Sequence, residues 1–180
     1  MRDLSAAAAT SVGSLYHFFP DKQSVFESLT QRHLAGVQTT VRSIALTRDS
    51  DWLERSPVAV VESLIGPLLC YAAEHPDFIA LGRQRILAHQ ANREEVRGEL
   101  LALYRRVLAL RLPRFRADDL DRYTYVLLQL PIGLIGEEID REVEQLLLLE
   151  VAPRVLGAYL EALENVHAQE VGRDGNSANA

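Results

Sequence analysis

Between residues 11 and 22 the chain gathers side chains able to hold an anion and to meet polar edges: Ser11, Ser14, Tyr16, His17 and Lys22. Lys22 is the only lysine among nineteen basic residues. It falls at the start of a long helical pattern, directly after Asp21, which can cap that helix. A cation there opposes the helix macrodipole, at a cost of about 0.3–1 kcal/mol on an exposed surface. A phosphate at the helix end reverses the sign, because the ammonium and the free backbone N–H groups then face one anion. The plain alternative is a solvated lysine with no measurable effect.

The elements that must hold these residues are short. Ser11 is a good N-cap, since its hydroxyl can accept from a free N–H of the first turn. Leu15 and Phe19 lie four apart and share one helical face, which can be buried. Ser14, Tyr16 and His17 then fall on other faces. Pro20 stops this helix, because it has no N–H and pushes residue 19 out of the α region.

Other chemistries find less support. Glu164 and His167 form a Glu-x-x-His, but a di-iron bundle needs two such motifs and two further glutamates on facing helices. One is present, so no metal and no cofactor is expected. The five histidines are scattered, and no two lie four apart. There is no P-loop, nucleophile elbow or dinucleotide fingerprint. No catalytic residue is expected, and the chain does not read as an enzyme. A single cysteine, Cys70, excludes an intrachain disulfide and suits a reducing cytoplasm. No signal peptide is evident, and the apolar run from Gln145 to Leu160 is broken by Glu150, Pro153 and Arg154. A membrane partner is therefore not expected.

The hydrophobic period is helical throughout, with no strand pattern and no internal repeat, so the fold class is all-α. One pattern runs from Asp21 through Val25, Leu29, Leu34, Val37, Val41 and Ile44. It fades in a polar linker over 47–51, which marks a boundary between a module at 1–46 and a second domain at 52–168. Ser56-Pro57 starts the next helix, with Val58, Val61, Ile65, Leu68 and Ala72 inward and Pro67 as a kink. Further helices are expected after Pro76, from about Arg93 to Pro113, from Asp118 or Asp119 to about Ile139, and from Arg141 to His167. Residues 169–180 are small and polar, and are expected to form a disordered tail.

The last two long helices are apolar on more than one face. Leu127, Leu128, Leu130, Ile132, Leu134 and Ile135 cannot all point one way, nor can Leu146, Leu147, Leu148 and Leu149. A second copy of the chain is the expected cover, so the protein reads as a homodimer through about 117–165. Gly133, Gly136 and Gly157 would let helices approach closely. Arginine at Leu147 or Leu148 should split the dimer if either residue faces the partner.

Leu4 to Lys22 resembles the helix-turn-helix of the tetracycline-repressor (TetR) family of bacterial transcription regulators. Ser11, Gly13, Leu15, Tyr16, Phe19 and Lys22 match its pattern, and Ser14 is a near match. Ala9 stands where the family has a turn glycine, and Thr10 where it has an apolar residue. Only Met1-Arg2-Asp3 precede Leu4, so the first helix of the family's three-helix DNA-binding domain is expected to be absent. Val25, Phe26 and Leu29 would normally pack against that helix. The resemblance implies base contacts from Val12, Gly13, Ser14 and His17, and phosphate contacts from Ser11, Tyr16 and Lys22. It implies a ligand-responsive repressor, a homodimer on operator DNA, released by a small-molecule effector. It also implies a cavity within residues 56–139. The aliphatic inward faces there suit an apolar or amphipathic effector. Tyr71, Arg85, His89, Tyr104, Tyr125 and Gln129 are the candidates for its polar contacts. One feature weighs against DNA: in residues 1–30, Arg2 and Lys22 stand against Asp3, Asp21 and Glu27, one net negative charge. The competing class is a helical dimerisation or small-molecule-binding protein that does not bind DNA.

Overall fold

The computed structural model describes residues 2–83, 91–134 and 139–177. All regular structure among them is helical. The order is α1 (Arg2–Ala7), α2 (Val12–Phe18), α3 (Lys22–Ala45), α4 (Asp49–Glu54), α5 (Pro57–Leu64), α6 (Gly66–Glu74), α7 (Pro76–Arg83), α8 (Ala91–Arg111), α9 (Ala117–Leu134), α10 (Arg141–Leu146), a π-helical turn (Leu147–Val151) and α11 (Ala152–Ser177).

Local chemistry accounts for most of the boundaries. Ser14 N–H donates to Ser11 Oγ at 3.0 Å, and Ser24 N–H to Asp21 Oδ1 at 2.7 Å. Ala59 N–H donates to Ser56 Oγ at 3.3 Å, with Pro57 in the first turn. Each cap satisfies an N–H that the helix itself leaves free. Asp118 and Asp119 lie inside the first turn of α9 rather than capping it, where their charge still favours the dipole. The helix that starts at Pro57 divides at Ile65 into α5 and α6, bent by 43°. Pro67 is the cause, for it offers no N–H to continue the ladder.

One contiguous core joins α3 to α4–α9, the π-helical turn and α11. It includes Val41 and Ile44 of α3, Trp52 of α4, Val60 and Leu64 of α5, Leu108 of α8, Leu127 of α9, and Leu156 and Leu160 of α11. The expected linker over 47–51 is instead a turn leading into α4, and Trp52 is wholly buried. Burying an indole of this size outweighs the polar character of its neighbours. Val58, expected inward, is 41% exposed and lies over Gly157, while Val60, Val61 and Leu64 take the interior. A Cβ at Gly157 would stand 3.0 Å from Val58 Cγ2, so α11 and α5 approach closely there. Gly133 has open space, and Ile135 and Gly136 lie outside the described residues.

Two arginines of α8 tie the ends of α3 and α4 to this core. Arg106 donates to the Ala45 and Thr47 carbonyls at 3.1 and 3.2 Å and pairs with Asp49. Arg111, nearly buried, donates to the Trp52 and Arg55 carbonyls at 2.6 and 2.8 Å and pairs with Glu164. Cations are well placed at helix C-termini, where carbonyls lack helical partners.

The π turn answers Pro153. The Ala152 N–H reaches the Leu147 carbonyl, one residue further than in an α-helix. Proline at 153 cannot donate, and widening the turn relieves its clash with the preceding turn. The turn leaves Leu148 wholly buried, with Leu146 and Leu149 turned outward at 48% and 45% exposure. α11 then continues to Ser177, through most of the segment expected to be a disordered tail. Extending an existing helix needs no new nucleus.

Candidate nucleic-acid interface

α1 and α2 are joined by a tight turn at Ala8, Ala9 and Thr10. Ala9 has φ 48°, the left-handed region, and is alone in this among the described non-glycine residues. A side chain there costs about 1–2 kcal/mol relative to the right-handed form, and glycine avoids the cost. The turn forms even so, because Thr10 N–H bonds the Ser5 carbonyl at 3.0 Å and Ser11 caps α2 directly after it.

α2 has no buried residue. Leu15 and Phe19 are its half-covered side, as their spacing requires. Ser11, Val12, Gly13, Ser14, Tyr16 and His17 are exposed together, Tyr16 at 49%. Sequence reasoning placed the turn helix correctly but missed Phe18, which is 73% exposed and meets the His17 ring edge-on at 5.2 Å. Its neighbours on the covered side, Leu15 and Phe19, were the signal that Phe18 points away.

The hydroxyls are already arranged. Ser11 Oγ–H donates to Ser14 Oγ at 2.9 Å while Ser11 Oγ accepts from Ser14 N–H. The Ser14 hydroxyl hydrogen is left to donate outward. A Cβ built on Gly13 meets only Ser11 Oγ, at 3.9 Å, so backbone here can be approached closely. Lys22 opens α3 and rests over the Phe26 ring, 5.3 Å from its centroid. Beside it Asp3, Leu4, Val25, Phe26 and Leu29 line a groove of about 340 Å³.

Among the described residues, the candidates for effector contacts lie in different surroundings. Tyr71 of α6 faces α3, where its hydroxyl lies 2.9 Å from His33 Nδ1. Tyr104 of α8 is buried in the core, and that burial pushes its phenol well above the ordinary value. Tyr125 of α9 is 52% exposed, and Gln129 is half-buried. Arg85 and His89 lie outside the described residues. Of the Glu-x-x-His, Glu164 pairs with Arg111, and the His167 ring lies against Phe115 at 5.4 Å. Among the described residues no single helix is long and apolar enough to cross a membrane.

A tight turn, a capped second helix exposed along its polar side, and a third helix rooted in an all-α core have the arrangement of a helix-turn-helix module. Residues 1–29 match the family model of the bacterial regulatory proteins, tetR family. This match covers the N-terminal module alone and supports reading it as that of a tetR-family DNA-binding regulator. No curated protein matches the chain as a relative.

Proposed function

We propose that the chain is a ligand-responsive repressor of the tetR type, acting in the cytoplasm without catalysis. It would bind operator DNA as a homodimer and leave it when a small apolar or amphipathic effector binds residues 52–168. The observation that supports this best is the exposed side of α2, lying within the segment that matches the family. In this reading Val12, Gly13, Ser14 and His17 meet base edges, while Ser11, Tyr16 and Lys22 meet phosphates. A dimer would set two copies of α2 in major grooves about 34 Å apart or a multiple of it, and so predicts a near-palindromic site.

The dimer face is proposed on the outward apolar side chains of the last helices: Val126, Ile132, Leu146, Leu149, Val155 and Val166, each more than a third exposed. Leu148 does not belong to it, since it is core, and arginine there would unfold the subunit. Leu149→Arg is the variant that should split a dimer and leave the fold intact. A monomer mass for the native chain by light scattering at micromolar concentration would defeat this part of the reading.

DNA selection from a random library, followed by titration at fixed salt, tests the rest. Lys22→Ala should weaken binding about equally on all sequences and reduce the salt slope by roughly one. Ser14→Ala or His17→Ala should change which sequence is preferred. The second reading, a dimer that does not bind DNA, draws on the net negative charge of residues 1–30. Failure to enrich any sequence at low salt would favour it.

A further inference from the structure

The N-terminal half of α3 meets α6 and α7 through a polar joint in otherwise apolar surroundings. Its centre is His33, which is wholly buried. His33 Nε2 lies 2.9 Å from Asp77 Oδ2, and Nδ1 lies 2.9 Å from the Tyr71 hydroxyl. The Tyr71 ring crosses α3 at Gly36, where a Cβ would stand only 2.6 Å from the hydroxyl oxygen. Glycine at 36 is therefore what admits the tyrosine. His75 stacks on the other side of Tyr71, with ring centroids 4.1 Å apart, and Phe78 closes the remaining side. Among the described residues, the charged and titratable groups facing His33 are Arg32 on its own helix, Tyr71 on α6, His75 at the end of α6, and Asp77 on α7.

This geometry satisfies the imidazole in both charge states. In the neutral ring, Nε2–H donates to Asp77, and Nδ1 accepts from the Tyr71 hydroxyl. When the ring takes up a second proton, Nδ1–H must donate, and the Tyr71 oxygen accepts. The tyrosine hydrogen then has an alternative acceptor, the His33 carbonyl oxygen, 3.5 Å from the hydroxyl. Rotation of one O–H bond converts one arrangement into the other, and no buried donor is left without an acceptor. Asp77 is ionised throughout this change, so its bond to Nε2–H is charge-assisted in both states; protonation of the ring adds the attraction of an imidazolium for the carboxylate, which the burial of His33 opposes.

We propose that His33, Tyr71 and Asp77 form a proton-responsive joint that tightens α3 against α6–α7 as the pH falls from about 8 to 5, the range in which histidines change charge. Its consequence is mechanical. α3 is the helix that carries α1 and α2, so a firmer joint restricts how far that unit can tilt from the core. Arg32, on the outer side of Asp77, competes for the same carboxylate oxygen at 3.4 Å and limits the gain.

The test uses the full chain without DNA, so its outcome is independent of the reading of α2. Amide hydrogen exchange, corrected for intrinsic rate, is followed over residues 22–36 and 66–83 between pH 8 and 5. The His33 ring nitrogens are followed by nuclear magnetic resonance over the same range. Protection of these segments should rise on the order of fivefold toward low pH, as expected when a hydrogen bond to a carboxylate gains an opposite charge. His33 should pass from an Nε2–H neutral ring to an imidazolium. Asp77→Asn should remove the pH dependence and keep the fold, as should His33→Gln where it folds. His75→Gln should leave the dependence in place, since that ring stacks on Tyr71 and its Nδ1 bonds the Tyr71 carbonyl at 2.8 Å rather than Asp77 or the His33 nitrogens. Protection that is flat with pH, or a dependence that survives Asp77→Asn or disappears with His75→Gln, would overturn the proposal.

Discussion

The unit formed by α1 and α2 and the core built on α4 to α11 draw on the same residue types and treat them in opposite ways. α1 buries only Ser5, and α2 buries nothing. Tyr16 and Phe18 stand in solvent while Trp52, Leu108 and Leu156 are wholly enclosed. Short helices joined by a strained turn cannot enclose their own aromatics, and what they leave uncovered becomes contact surface. Regions with few buried contacts open at low free energy. The part of this molecule proposed to meet DNA is thus also the part least held by its own packing. α3 belongs to both regions, half-covered at Val25 and Phe26 and buried at Val41 and Ile44.

That contrast can be tested from its strongest side downward. Trp52→Ala should cost about 3–5 kcal/mol, because a buried indole leaves a cavity the core cannot close. Chemical denaturation should show the loss as a lower midpoint for the whole body. An unchanged midpoint would mean that Trp52 does not anchor α4. Arg111→Met should cost about 2–3 kcal/mol, since two carbonyls and the Glu164 carboxylate lose their partner together. The paired change with Glu164→Gln should recover part of that loss.

Changes in the N-terminal unit should be smaller and confined to it. Ala9→Gly should stabilise the turn by about 1 kcal/mol by removing the left-handed penalty. Exchange of amides in residues 2–18 should slow while those of α8 and α11 do not change. Equal slowing in both regions would show that the two are not separable.

The smallest effect concerns Asp77. Burial works against its carboxylate, but the hydrogen bond and charge of His33, together with the backbone N–H groups of Asp77 and Phe78, outweigh burial and hold the group below its ordinary value of 3.8. A depressed carboxyl contributes stability that is complete above its ordinary value. That stability is lost as pH falls through the depressed one. Acid denaturation of the native chain and of Asp77→Asn should therefore converge below the ordinary carboxylate range and separate above it. Separation that persists at the lowest pH would place the effect elsewhere.

Much of the local plan was legible in the residues. The caps at Ser11, Asp21 and Ser56, the stop at Pro20, and the shared face of Leu15 and Phe19 depend on neighbours within four positions, and they stand as expected. The helix-turn-helix could be read for the same reason, because its spacing is local and its turn is tight. Ala9 in place of glycine marked a strained position, and the backbone carries the strain there.

What the sequence determined by itself was therefore helix content, helix ends and the exposed polar side of α2, all properties of short-range hydrogen bonding and helical period. Tertiary structure decided which of the consecutive leucines at 146–149 is core, since a π turn ahead of Pro153 shifts the register and sends Leu148 inward. It decided that a polar stretch ends in a buried Trp52. It also brought His33 to Tyr71 and Asp77, partners 38 and 44 residues away in the chain. No spacing rule reaches that far: such contacts exist only once the core has fixed how α3, α6 and α7 cross.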